Sequence, residues 1–176
     1  MCYLKSIKQL SVNQQYQVRI MSENKQHIHP LLIEKNRRWI GAIEKSIEGL
    51  DPHKQKLLMQ DAGRDCAKDI WALCEKTLGC SIQSVEDLIK GWNLVRKNRK
   101  LNGEWVVEGN DVHGVFEECG CPLVRSGLVE LQPAQCWCSH NMMETIFSKV
   151  SNSSASVEII RSIGRGDNVC EFRITF

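Results

Sequence analysis

A chain of 176 residues with 42% hydrophobic and 25% charged residues holds enough apolar material for one core, or one core with a helical extension. Its formal net charge of +2 supplies no field that would gather nucleic acid, and without eighteen consecutive apolar residues it offers no membrane-spanning helix. Nine cysteines follow an N-terminus with no apolar signal stretch, which points to thiols or metal ligands in a reducing cytoplasm rather than to a disulfide framework.

Residues 1–29 read as a flexible arm, or in part as an upstream-start artefact, because the chain restarts at Met21 with "MSENKQHIHP". From Pro30 to about Lys100 the pattern is helical. Pro30 suits a first helical turn, and Leu31, Leu32, Trp39, Ile40, Ile43 and Ile47 form an apolar stripe at helical spacing. "EGLDP" ends this helix at Gly49 and starts a second, with Asp51 as N-cap and Pro52 at its first position. The second helix runs to "TLGC", with Leu58, Ala62, Cys66, Ile70, Cys74 and Leu78 along one face. Ser84 with Asp87 resembles a capping box for a third helix over 85–98.

After Asn102 the period changes. "GEWVVEGNDVHGVFEE" reads as a hairpin about "EGND", and "SHNMMETIFSKV" as a helix with Ser139 as N-cap. A last hairpin follows: Val157 and Ile159 in one strand, Cys170, Phe172, Ile174 and Phe176 in the other, with "GRGDN" as the turn. Segregated helices and hairpins predict an α+β fold, with N-terminal helices packed on an antiparallel sheet of two hairpins separated by a helix.

The cysteines carry the chemistry. Cys119 and Cys121 form one C-x-C pair and Cys136 and Cys138 another, and Cys170 follows in the last strand. On extended backbone i and i+2 share a face, so each pair could present two sulfurs to one tetrahedral zinc. Buried thiols packing as small hydrophobes, and redox or nucleophilic chemistry, remain open beside the metal reading. Cys66 and Cys74 stand eight residues apart on one helix, about 12 Å along its axis, and so cannot ligate a single ion together; core packing is their first reading. The alternative is that their face lines a ligand pocket, with Arg64 holding a carboxylate by its planar fork, Cys66 beside it and Trp71 as an apolar wall. His140, two residues from Cys138, is a better candidate than His113 in the first hairpin. The basic run "RKNRK" sits where a helix C-terminus stabilises cations.

The hairpin, the cysteine before a helix, and the closing "SIGRGDNVCEFRI" resemble the 4-vinyl reductase type of small-molecule-binding domain and the related L-2-amino-thiazoline-4-carboxylic acid hydrolase-like proteins, over about residues 102–176. The resemblance implies zinc ligands at Cys136 or Cys138, at Glu158 and at Cys170. The remaining ligand position falls at Arg161 or Ser162, neither of them a thiolate, which leaves Cys119 and Cys121 to replace it. The expected function is a cytoplasmic small-molecule-binding domain with a zinc-binding, cysteine-rich lobe, acting alone, as a homodimer or through a partner. The alternative is a hydrolase of a small cyclic amidine or thiazoline carboxylate.

Overall fold

The computed structural model describes residues 29–176. The expected N-terminal arm, with Cys2 and His27, lies outside the described residues apart from His29. The chain divides into two units, residues 1–35 and 36–176, and the second contains the sheet and every cysteine discussed below.

Helix α1 spans Pro30–Glu48, α2 Pro52–Leu58, α3 Gln60–Leu78 and α4 Val85–Asn98. The hairpin β1 (Glu104–Glu108) and β2 (Asp111–Phe116) follows, then the short α5 (Pro122–Arg125) and the long α6 (Gln135–Ser151). A second hairpin, β3 (Ser156–Arg161) and β4 (Cys170–Thr175), closes the fold. The strands form one antiparallel sheet in the order β1-β2-β4-β3. This is the α+β arrangement of helices and two hairpins separated by a helix that the sequence predicts.

Local chemistry explains most boundaries. Asp51 accepts a hydrogen bond from the Lys54 amide at 3.1 Å with Pro52 behind it, and Gly79 closes α3 in the left-handed region at φ 75°. Ser84 accepts from the Asp87 amide while Asp87 accepts from the Gln83 amide, a reciprocal cap. Two expectations are corrected. The single helix read from Asp51 to Leu78 is interrupted at Met59, giving α2 and α3. Most of the apolar stripe of α1 faces outward, with Trp39 64% exposed and Leu31, Leu32 and Ile43 also in solvent, while Ile40 and Ile47 are half-buried; the buried position of the helix is Glu44. Helical spacing identifies a stripe without saying which side is covered, and here Glu44 is engaged by Gln135 of α6.

The core lies between the sheet and helices α3, α4 and α6. Trp105, Phe116, Phe172, Val112, Ile174 and Val157 point inward from the strands and meet Trp92 of α4 and Phe147 of α6. The Trp105 ring is at the middle, with centroids 5.3 Å from Trp92, 5.0 Å from Phe116 and 5.6 Å from Phe147. Its neighbour in register is Gly114, where an added Cβ would fall 2.5 Å from the indole. Arg96 turns inward at the end of α4: it donates to the carbonyls of Asn102 and Gly103 and lies 3.9 Å from the Phe116 ring centre.

Gly114→Ala should therefore overpack the centre of the sheet. The expected loss is about 1–3 kcal/mol of unfolding free energy, read by urea denaturation. An unchanged midpoint would show that Trp105 has room to retreat.

Candidate functional site

Helix α6 begins at Gln135, four residues before the N-cap expected at Ser139. Cys136 and Cys138 thus occupy its first turns instead of an extended segment. On a helix, i and i+2 diverge, where on a strand they would coincide. Cys136 is buried and its sulfur lies 2.8 Å from the Ser162 hydroxyl. Gly164 leaves room for that sulfur, since a Cβ there would come within 2.8 Å of it. Cys138 points instead toward α3, where its thiol donates to Cys66 with the sulfurs 4.0 Å apart.

That meeting depends on Gly63, one turn before Cys66. A Cβ at Gly63 would lie 2.6 Å from the Asn141 Cβ and 2.7 Å from the Cys138 carbonyl oxygen. The missing side chain lets α3 lie directly on the backbone of α6, and the two cysteines face each other across the resulting seam.

Electrostatics separate the two sulfurs. The hydrogen bond from Cys138 holds the Cys66 thiol down to about 7, against burial and the nearby charges of Asp69 and Asp65. Cys138 is pushed up, first by sharing its proton with Cys66, then by burial, and further by Cys121 and Glu44. One thiolate and one thiol sharing a proton is the state these causes favour near neutrality. Both residues are partly exposed. Burial moves other thiols the opposite way: Cys74 up to about 12, Cys119 up to about 11, and Cys136 upward as well.

Buried polar groups surround the start of α6. Glu44 is 7% exposed; one carboxylate oxygen accepts from the Gln135 amide at 2.7 Å and the other has no hydrogen-bond partner. Burial raises its carboxyl above the usual range, opposed by the Gln135 hydrogen bond and assisted by Glu48. Asn141, 2% exposed, donates to the Lys56 carbonyl at 2.8 Å while its own oxygen has no partner. His140 is buried with Nδ1 unpartnered, and burial lowers its pKa, so the neutral imidazole is favoured. Trp137 donates to Gln55 of α2 at 2.9 Å.

The other residues singled out from sequence are distributed elsewhere. Arg64 pairs with Asp61 in solvent at 3.1 Å, and Trp71 lies under the Lys149 ammonium, 3.6 Å from its ring centre. Arg64, Cys66 and Trp71 do not line either of two hollows, which open around Leu94 and Gly103 and around Val106 and Val115. Glu158 pairs with Arg173, and His113 contacts Glu171 at 3.0 Å, both on the outer face of the sheet. Cys170 opens β4, Cys121 precedes α5, and Cys119 lies in the irregular link. Among the described residues no group of three or more His, Cys, Asp or Glu side chains is placed to hold a metal ion. Ser162, one of the two positions (with Arg161) to which the resemblance assigns the remaining ligand, contacts Cys136. Sequence reasoning missed the Cys66–Cys138 pair, whose members are 72 residues apart and carry no shared motif.

The chain belongs to DUF6144, a family of unknown function, which it matches over residues 3–176. No curated protein matches it. Its fold is similar to that of a trafficking protein particle complex subunit 3 from Naegleria fowleri, solved covalently bound to palmitic acid, with a TM-score of 0.53 at 10% identity over 82% of this chain and 92% of that one. A second solved structure is the phenol-responsive sensory domain of the transcription activator PoxR with phenol, at a TM-score of 0.48 and 14% identity over 77% of this chain and 71% of that one. At these identities the likeness to the trafficking subunit is one of fold. No helix among the described residues is long and apolar enough to cross a membrane.

Cys138→Ala removes the donor and should raise the Cys66 pKa from about 7 toward the ordinary thiol range. Cys138→Ser, which keeps a donor, should hold it down. The pH dependence of iodoacetamide labelling at Cys66, followed by peptide mass, distinguishes the two. Equal profiles in both variants would show that the cross-seam hydrogen bond does not set the acidity.

Proposed function

We propose that this protein is a small-molecule-binding domain whose ligand is held through the Cys66–Cys138 pair. The observation that carries the reading is the meeting of two sulfurs, 4.0 Å apart, on two different helices. Sulfurs sharing one tetrahedral zinc stand about 3.8 Å apart, given Zn–S bonds of about 2.3 Å. The pair is therefore spaced to let one soft atom bridge it. The ligand class is thiophilic: a soft ion or an electrophilic small molecule that accepts two sulfurs, attacked first by the thiolate of Cys66. A fold neighbour with a covalently bound small molecule accords with this reading.

Zinc belongs to the proposal in a second form. It follows the sequence resemblance: Cys119, Cys121, Cys136 and Cys170 would have to be drawn together by the metal, since among the described residues they form no metal-holding group. Such a site would fold around its ion, since metal binding and local ordering are coupled.

Titration with phenylarsine oxide, a probe that requires two neighbouring thiols, tests the first form. The expected result is one equivalent bound per chain, lost in Cys66→Ser and Cys138→Ser and retained in Cys74→Ser and Cys119→Ser. Undiminished binding in Cys66→Ser would overturn it. Elemental analysis after zinc loading tests the second form: one zinc lost in Cys136→Ser and Cys170→Ser, but not in Cys66→Ser, would assign the metal to the lobe.

A further inference from the structure

We infer that Cys66 and Cys138 form a peroxide-oxidisable couple that closes into a disulfide joining α3 to α6. The inference rests on the proposed reading that this pair is the reactive centre, and it names a second substrate class, hydroperoxides, with a covalent product.

The geometry sets out the parts. The two sulfurs are already in contact at 4.0 Å, and a disulfide needs them at about 2.05 Å, a closure of about 2 Å between side chains that can rotate toward each other. Gly63 keeps the backbones of the two helices close at this level, so the approach needs no separate docking of distant segments. Both cysteines are partly exposed, so a small peroxide can reach them. The hydrogen bond runs from Cys138 to Cys66, which assigns the roles: Cys66 is the thiolate that attacks and Cys138 the thiol that resolves. The groups facing the pair are Asp65 and Asp69 from α3, Glu44 from α1 and Cys121 from the irregular link, all of them acidic or neutral.

The chemistry balances in two steps. The Cys66 thiolate attacks a peroxide oxygen, the O–O bond breaks, and Cys66 becomes a sulfenic acid while the leaving hydroxide or alkoxide takes up a proton from solvent. The Cys138 sulfur then attacks the Cys66 sulfur as the S–O bond breaks, and the Cys138 proton leaves with the departing hydroxide as water. Two thiols and one hydroperoxide give one disulfide, one alcohol or water, and one water. A thiol reductant such as glutathione reverses the change by exchange.

The other thiols lack one or more of these features. Cys74 is wholly buried, and Cys136 is buried against the Ser162 hydroxyl.

The experiment treats the full reduced chain with one equivalent of hydrogen peroxide, followed by intact mass and non-reducing peptide mapping. The expected product has lost two hydrogens and contains a Cys66–Cys138 linked peptide. In Cys138→Ser the reaction should stop at Cys66 sulfenic acid, captured by dimedone; in Cys66→Ser neither product should form. A link between other cysteines, or dimedone labelling spread over the exposed thiols, overturns the inference. If peroxide leaves the thiols reduced while phenylarsine oxide still binds the pair, this inference alone fails. If both probes pass the pair by, the binding reading fails with it.

Discussion

Two helices approach to backbone contact only where one of them offers no side chain, and Gly63 is that place in this protein. With a Cβ there, α3 would stand away from Asn141, from the Cys138 carbonyl and from the Met142 amide. Among the described residues α3 and α6 form the most extensively packed helix pair, so the separation would loosen the core to which Ala67 and Met143 belong. Stability and chemistry thus share one constraint. The contact that closes the core over α6 also places the sulfur of Cys138 against that of Cys66.

The second organising feature is the change of character along α6. Its C-terminal half buries Met143, Ile146, Phe147 and Val150, the ordinary inward face of a core helix. Its N-terminal half buries Cys136, His140 and Asn141, and it meets Glu44 rather than another hydrophobe. Glu44, His140 and Asn141 each retain a buried polar atom without a partner, a departure from the satisfied interiors that stability alone favours. Such departures are expected where a fold gives up local consistency for a site. At the sheet end the interior is aromatic, with Trp105 Nε1 also buried without a partner, while Glu158–Arg173 and His113–Glu171 pair on the outer face.

The architecture was readable because its signals are local. Asp51 with Pro52, Ser84 with Asp87, the "EGND" turn and the "GRGDN" turn each act within a few residues, and the α+β order follows from them. Where the reading failed, the deciding interaction was distant. The outward stripe of α1 is explained by Glu44 meeting Gln135, 91 residues away. The start of α6 was placed late because Ser139 is a good capping residue, whereas the helix begins after Ala134 with no side-chain cap. Moving the N-cap five positions, from Ser139 to Ala134, changes the geometry of a C-x-C pair from shared to divergent. In the sequence Cys66 is legible as one member of a helical stripe and as a pocket residue beside Arg64 and Trp71, but not as a partner of Cys138. Its partner became visible in three dimensions, because a contact across 72 residues leaves no period in the chain.

The open sheet has a consequence for colloidal behaviour. β1 and β3 are its edges, and an edge strand presents unpaired amides and carbonyls to any neighbouring chain. β1 exposes Val106 and Val107, the kind of short apolar run on which intermolecular strand pairing begins. Glu104 and Glu108 bracket that run, so a second copy pairing in antiparallel register would bring carboxylates against carboxylates. On the far edge, Ile160 is flanked by a register shift at which Arg161 rejoins Glu171, and this irregularity interrupts the flat template that stacking requires. The two edges thus resist association by different means, like-charge repulsion on one side and broken register on the other.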